Sequence, residues 1–144
     1  MMATVMKYFL LPSTLLLRST SAAAAYKLSD RPTLKYGTAW KKEATANLVE
    51  KAIHAGFRHI DTACQPRHYH EAGVGEGWVA SGIDRKDLWL QTKFSGLNAH
   101  DPSSIPYDKN APLEDRVRQS LEKSLENLQT DYLDSWLMHG QEDR

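Results

Sequence analysis

The chain has 144 residues, enough for one domain with a buried core, and its 18 lysines and arginines balance its 18 aspartates and glutamates. With no surplus of positive charge to draw it onto phosphate backbones or anionic lipid, nucleic-acid binding is not expected. Cys64 is the only cysteine, which excludes an intramolecular disulfide, a zinc-thiolate cluster and a CxxC redox pair.

Residues 1–25 differ from the rest of the chain: they hold no acid, two bases (Lys7 and Arg18), an apolar stretch over 8–17, several Ser and Thr, and an alanine run over 22–25. A basic start, a short apolar segment and small residues are the pattern of a secretory leader, and Arg18 with the Ser/Thr content equally suits an organellar transit peptide. The alternative is an ordinary disordered extension. The stretch is too short and too interrupted to span a bilayer, which takes about 20 apolar residues.

A turn at Asp30-Arg31-Pro32 leads into a strand-like run, 35–40, expected to end near Trp40. Ala44, Leu48, Val49, Ala52 and Ile53 then recur at helical spacing, and Gly56 supplies a stop. Residues 57–63 read as a second strand. A helix over 71–81 comes next, weakened on paper by Gly73, Gly75 and Gly77. The third strand, 87–94, opens into a polar loop running to Asn110, longer than most β-to-α connections and so a candidate for substrate contact. Pro112 suits a first helical position, with Glu114 and Asp115 placed well against the helix dipole. Val117, Leu121, Leu125 and Leu128 form that helix's apolar stripe, and Glu114, Arg118 and Glu122 its solvated ion pairs. The last strand covers 132–139.

Strands alternating with helices point to parallel βαβ units. In a barrel of such units the carboxyl ends of the strands surround the active site, and three runs here end in ionisable residues: Asp61, Lys93 and His139. Period-two geometry puts His59 with Asp61, Gln91 with Lys93, and Leu137 with His139 on one face of their strands. Facing one another, Asp61 and Lys93 would offset each other's burial. An ammonium beside a phenol favours phenolate, so Lys93 is expected to lower the pKa of a nearby tyrosine such as Tyr69. A closed eight-stranded barrel takes about 250 residues. The expected fold is therefore α/β, a parallel β/α (TIM) barrel truncated to about four βα units, with open strand edges that favour self-association.

Four motifs in order, Gly56-Phe57-Arg58-His59-Ile60-Asp61-Thr62-Ala63, then Tyr69-His70-Glu71 with Val74-Gly75, then Gln91-Thr92-Lys93, then Asp134-Ser135-Trp136-Leu137-Met138-His139, resemble the N-terminal half of an aldo-keto reductase. The resemblance covers residues 33–139. It implies NADPH-dependent reduction of a small carbonyl substrate and a cytoplasmic location by default, unless the leader-like N-terminus directs organelle import or secretion. It makes Tyr69 the proton donor, Lys93 and Asp61 its tuning pair, and His139 the group that orients the carbonyl. Gly37, Thr38 and Ala39, with Asp61, correspond to the contact with the nicotinamide end of the cofactor. Three departures stand out. Pro66 occupies the place, five residues after the aspartate, where the tyrosine is usual, so that the stretch from Cys64 to His68 brings Tyr69 three residues late. His70 stands where asparagine is common. The segments that would hold the rest of the cofactor have no counterpart here, so this chain alone is expected to have little or no activity unless halves assemble.

Two other readings remain at this level. His59, Asp61, His68, His70 and His139 could be assembled into a metal-dependent hydrolase site, although that leaves Lys93 unexplained and no metal ligand set is assigned. A non-catalytic half-barrel or interaction subunit is the other. His59, His68 and His70 otherwise read as structural or solvent-exposed.

Overall fold

The computed structural model describes residues 33–140, so the leader-like segment and the turn at 30–32 lie outside the described residues. Four strands alternate with three helices: β1 Lys35–Gly37, α1 Thr45–His54, β2 His59–Asp61, α2 Glu71–Ala80, β3 Trp89–Phe94, α3 Leu113–Asn127 and β4 Ser135–Met138. All neighbouring strands are parallel and the sheet order follows the chain, β1-β2-β3-β4. Sequential parallel order with every crossover through a helix is the arrangement of a β/α barrel wall. No helix among the described residues is long and apolar enough to cross a membrane.

The apolar core lies between sheet and helices. Ile60, Leu88 and Leu90 pack there against Val49 and Ile53 of α1, Val74 of α2 and Leu128 beyond α3. Because side chains alternate along a strand, the same register that sends Ile60 and Leu90 to the helices sends His59, Asp61, Gln91 and Lys93 to the opposite face. Gly37 stands beside Asp61, and Lys93 beside Leu137, in the ladder.

Some elements differ from the sequence-based expectation. The first strand ends at Gly37, and Trp40 turns into a left-handed conformation (φ 62°) instead of extending it. Pro112 caps α3 from outside, with ψ 153°, so the helix proper opens at Leu113. Arg118 pairs with Asp115 at 2.7 Å and with Glu122 at 3.3 Å, and Glu114 is not its partner.

The largest differences concern helix faces. The glycines of α2 do not interrupt it. A side chain on Gly75 would run into the Asn127 carbonyl, and one on Gly77 into the Ala46 carbonyl, so these glycines let α2 approach α3 and α1 backbone to backbone. On α3 the buried residues are Ser120 and Ser124, while Val117, Leu121 and Leu125 are only half-buried. Ser124 is inside because Glu71 is: this residue is 4% exposed, and its carboxylate accepts hydrogen bonds from Thr92 Oγ1 (2.5 Å), Ser124 Oγ (3.1 Å) and Asn127 Nδ2 (3.2 Å). Burial holds the Glu71 carboxyl above the usual glutamate range despite these donors.

Candidate active site

The site is built where β2 and β3 end. Beyond the formal end of β2 the ladder continues, with Thr62 N–H donating to the Gln91 carbonyl (2.9 Å) and Cys64 N–H to the Lys93 carbonyl (3.1 Å). This extension holds Asp61 and Lys93 in fixed relation across the two strands. Lys93 Nζ lies 2.8 Å from Asp61 Oδ1 and 2.7 Å from the Thr62 carbonyl, and Gln91 Nε2 donates to the same Asp61 oxygen at 2.6 Å. The two charged side chains are 13% and 17% exposed, so the pair is largely desolvated and is stable because each charge is matched and hydrogen-bonded.

Segment 64–68 delivers the tyrosine. The N–H groups of His68 and Tyr69 both donate to the Gln65 carbonyl at 3.0 Å, closing a tight turn that absorbs the extra residues. Tyr69 consequently reaches the same face as the strand-end residues. Its ring meets His139 edge-on with centroids 5.7 Å apart, and Lys93 Nζ stands 5.5 Å from its centroid. Asp61, Tyr69, Lys93 and His139 are thus brought into one constellation.

The electrostatics of the phenol differ from the expectation. Tyr69 lies above the ordinary tyrosine value, first because burial penalises the phenolate and second because Asp61 is near. Lys93 does not lower it because its ammonium is committed to Asp61 and the Thr62 carbonyl. His139 is held below the ordinary histidine value by burial and then by Lys93, with Asp61 opposing. It is therefore neutral at pH 7. Its Nδ1 lies 2.8 Å from Ser95 Oγ, and the Ser95 backbone is anchored in turn by Tyr107, whose hydroxyl donates to the Ser95 carbonyl at 2.8 Å.

Gln91 and Ser95 are the site residues that sequence reasoning passed over. Gln91 had a signal, since it shares the strand face of Lys93; Ser95 had none beyond opening the loop, because its partner lies 44 residues away.

The expected cofactor contacts divide. Gly37 borders open space, since a Cβ added there would meet nothing within 4 Å, so a flat group could lie against the strand beside Asp61. This fits the nicotinamide end of a dinucleotide. Thr38 is fully buried, with its N–H and Oγ1 both donating to the Asp61 carbonyl at 3.0 Å, so its side chain positions Asp61 and is turned away from the open face. Ala39 is half-buried. Among the described residues, no group of three His, Cys, Asp or Glu side chains is placed to hold a metal ion.

The chain has known relatives. An oxidoreductase of Schizosaccharomyces pombe is 39% identical over 110 residues, covering 75% of this chain and 29% of the relative. The 9,11-endoperoxide prostaglandin H2 reductase of Trypanosoma cruzi is 38% identical over 95 residues, 66% of this chain and 28% of the relative. Among solved structures, an aldo/keto reductase from Brucella melitensis superposes with a TM-score of 0.55 at 34% identity, over 74% of this chain and 36% of its own. A Bombyx mori aldo-keto reductase in complex with NADP gives 0.55 at 28% identity, over 75% and 34%. The chain therefore spans about a third of the length of the proteins it matches. The profile of the aldo/keto reductase family matches residues 31–143, and with the ordered parallel sheet and the residues at its strand ends this chain belongs to that family.

Proposed function

We propose that this site serves the reduction of an aldehyde or ketone to an alcohol with hydride from NADPH. The observation that carries the reading is the convergence of Tyr69 with His139 at 5.7 Å and with Lys93 at 5.5 Å on the open face of the sheet. The NADP complex of the similar Bombyx mori protein supports the choice of cofactor. Gly37 and Ala39 would lie against its nicotinamide end, beside Asp61. A nicotinamide cofactor, when bound, supplies the hydride.

The residues divide the remaining work. Tyr69 gives its proton to the carbonyl oxygen, and its raised pKa keeps it protonated through neutral pH. Lys93 Nζ stands 5.5 Å from the ring, and Asp61 holds that ammonium in place while the proton leaves. His139 Nδ1 is engaged by Ser95 Oγ at 2.8 Å; with the hydroxyl as donor, the neutral ring has its Nε2–H left to donate to the carbonyl oxygen and orient it. The test is NADPH oxidation by the full chain with a simple aldehyde, alongside fluorescence titration of NADPH. General acid catalysis contributes about 10²- to 10⁴-fold, so Tyr69→Phe should lower turnover by that factor and leave NADPH affinity nearly unchanged. Turnover that survives Tyr69→Phe would rule out this donor.

A second reading is association of two chains along β4. Among the described residues β4 pairs only with β3, and Leu137 and Met138 beside that edge are 45% and 57% exposed. Sedimentation velocity across a concentration series tests it: a monomer throughout would exclude it, and a dimer that turns over NADPH only when assembled would join both readings.

A further inference from the structure

Trp40 and Lys42 both hold left-handed backbone conformations, with φ 62° and 49°. Such conformations are costly for residues with side chains and persist where the surroundings fix them. The surroundings here are the segment that precedes Tyr69. Trp40 N–H donates to the His68 carbonyl at 2.7 Å, and the indole lies on the His68 imidazole with centroids 4.1 Å apart. His68 is fixed in turn. Gln65 Nε2 donates to the Ala99 carbonyl at 2.9 Å, so Gln65 Oε1 is the acceptor for His68 Nδ1 at 3.0 Å. Yet the indole remains 65% exposed. An aromatic pair locked from behind and open in front is a surface built for contact.

That pair, with Tyr69, walls a cavity of about 360 Å³ bordered by Lys42 and Arg67. The size suits a small molecule. His68 also lines a second cavity, of about 200 Å³, together with His139, so the histidine separates two spaces that flank the Tyr69 and His139 contact. Glu43 lies on the first cavity too, which leaves one positive charge in excess after Lys42 and Arg67 are counted against it. Arg67 reaches Asp101 only at 3.7 Å, with both side chains about half exposed at 49% and 55%, so little holds the guanidinium away from a bound anion.

We propose that this cavity is a recognition subsite for planar carbonyl compounds that carry a carboxylate. The ring of such a compound lies against Trp40 and His68, the carboxylate meets Lys42 and Arg67, and the carbonyl points to Tyr69. The last placement rests on the reductase reading given above. Only the side chains of Lys42 and Arg67 are asked to recognise the anion, and both residues are exposed.

The experiment compares 4-carboxybenzaldehyde with benzaldehyde on the full chain, by calorimetric binding and by NADPH oxidation in parallel. Two exposed charge contacts are expected to favour the carboxylate by about three- to tenfold in affinity. That preference should shrink with added salt and fall toward one in the Lys42→Gln/Arg67→Gln variant, whose folding is checked by circular dichroism. Equal affinities in the unmodified chain, or a preference that survives the double substitution, would overturn the subsite. Preferential binding without oxidation of NADPH would keep the subsite and deny turnover to this chain on its own, whereas turnover of both aldehydes at equal affinity would keep the reductase reading and overturn the subsite.

Discussion

Lys93 Nζ stands 2.8 Å from Asp61 Oδ1 and roughly twice as far from the ring of Tyr69, whose centroid is 5.5 Å away. The ammonium therefore acts on the phenol through a partner that has already claimed it. Asp61 is close enough to Tyr69 to oppose phenolate in its own right, so the charge pair presents its negative member to the phenol as well as its positive one.

The consequence can be titrated. Asp61→Asn removes the carboxylate and frees Lys93, so the Tyr69 pKa should fall from its raised value, with burial alone still holding it up. Ultraviolet difference titration, with Tyr69→Phe subtracted to isolate the one phenol, measures this. An unchanged or higher pKa in the Asp61→Asn variant would contradict the account.

Glu71 should give the fold a pH dependence opposite to that of a salt-bridged acid. Its folded pKa is raised by burial, so above about pH 4.5, where the unfolded glutamate ionises, the folded chain binds more protons than the unfolded one. Stability contributed at this position is then lost as pH rises from there through the folded pKa. Urea midpoints between pH 4 and 8 should show the wild type losing ground against Glu71→Gln across that window. A gap between the two that stays constant with pH would show that the carboxyl is not perturbed.

Gly75→Ala sets helix propensity against packing. Alanine gains about 1 kcal/mol in a helix interior, but its methyl would overlap the Asn127 carbonyl and press on Leu128 at 3.1 Å. Backbone cannot swing aside as a side chain can, so the net effect should be a loss of about 1–3 kcal/mol by chemical denaturation. A stabilised variant would mean that α2 and α3 sit further apart than described.

Asp134 links β3, β4 and the turn before β3. Its Oδ2 accepts from Arg85 Nη2 and from Leu90 N–H, both at 2.8 Å, with the two charged side chains 13% and 8% exposed. Asp134→Ala leaves both donors without that acceptor, and a loss of about 3 kcal/mol is expected. Asp134→Asn, which keeps one acceptor oxygen, should recover part of it.

Much of the sheet was legible because strand periodicity is a local property: the alternation that sends Ile60 to the helices and Asp61 to the open face is written in adjacent residues. The meeting of Asp61, Lys93 and His139 followed from knowing where parallel strands end, and Tyr69, in the loop after β2, was added to them by the family resemblance. What could not be read locally was partnership across space. The burial of Ser124 has its reason in Glu71, 53 residues away. The α2 glycines looked like weak points because the helices pressing on them lie elsewhere in the chain. The Tyr69 pKa went the opposite way first because burial penalises the phenolate and then because Asp61 opposes it, neither of which adjacent residues reveal.

Cys64 sits against the same buried carboxyl cluster, 2% exposed, with its thiol pushed up to about 12 by burial and by Glu71. Only the thiolate attacks alkylating reagents, so at pH 8 about one native molecule in ten thousand would carry the reactive form, and that one would be screened from solvent. An unfolded chain carries an ordinary thiol and reacts readily. The sole cysteine of this sequence is thus a built-in clock for conformational opening: its rate of alkylation in the absence of denaturant counts how often the packing of β2, α2 and α3 comes apart, with no label to introduce and no second thiol to confuse the count.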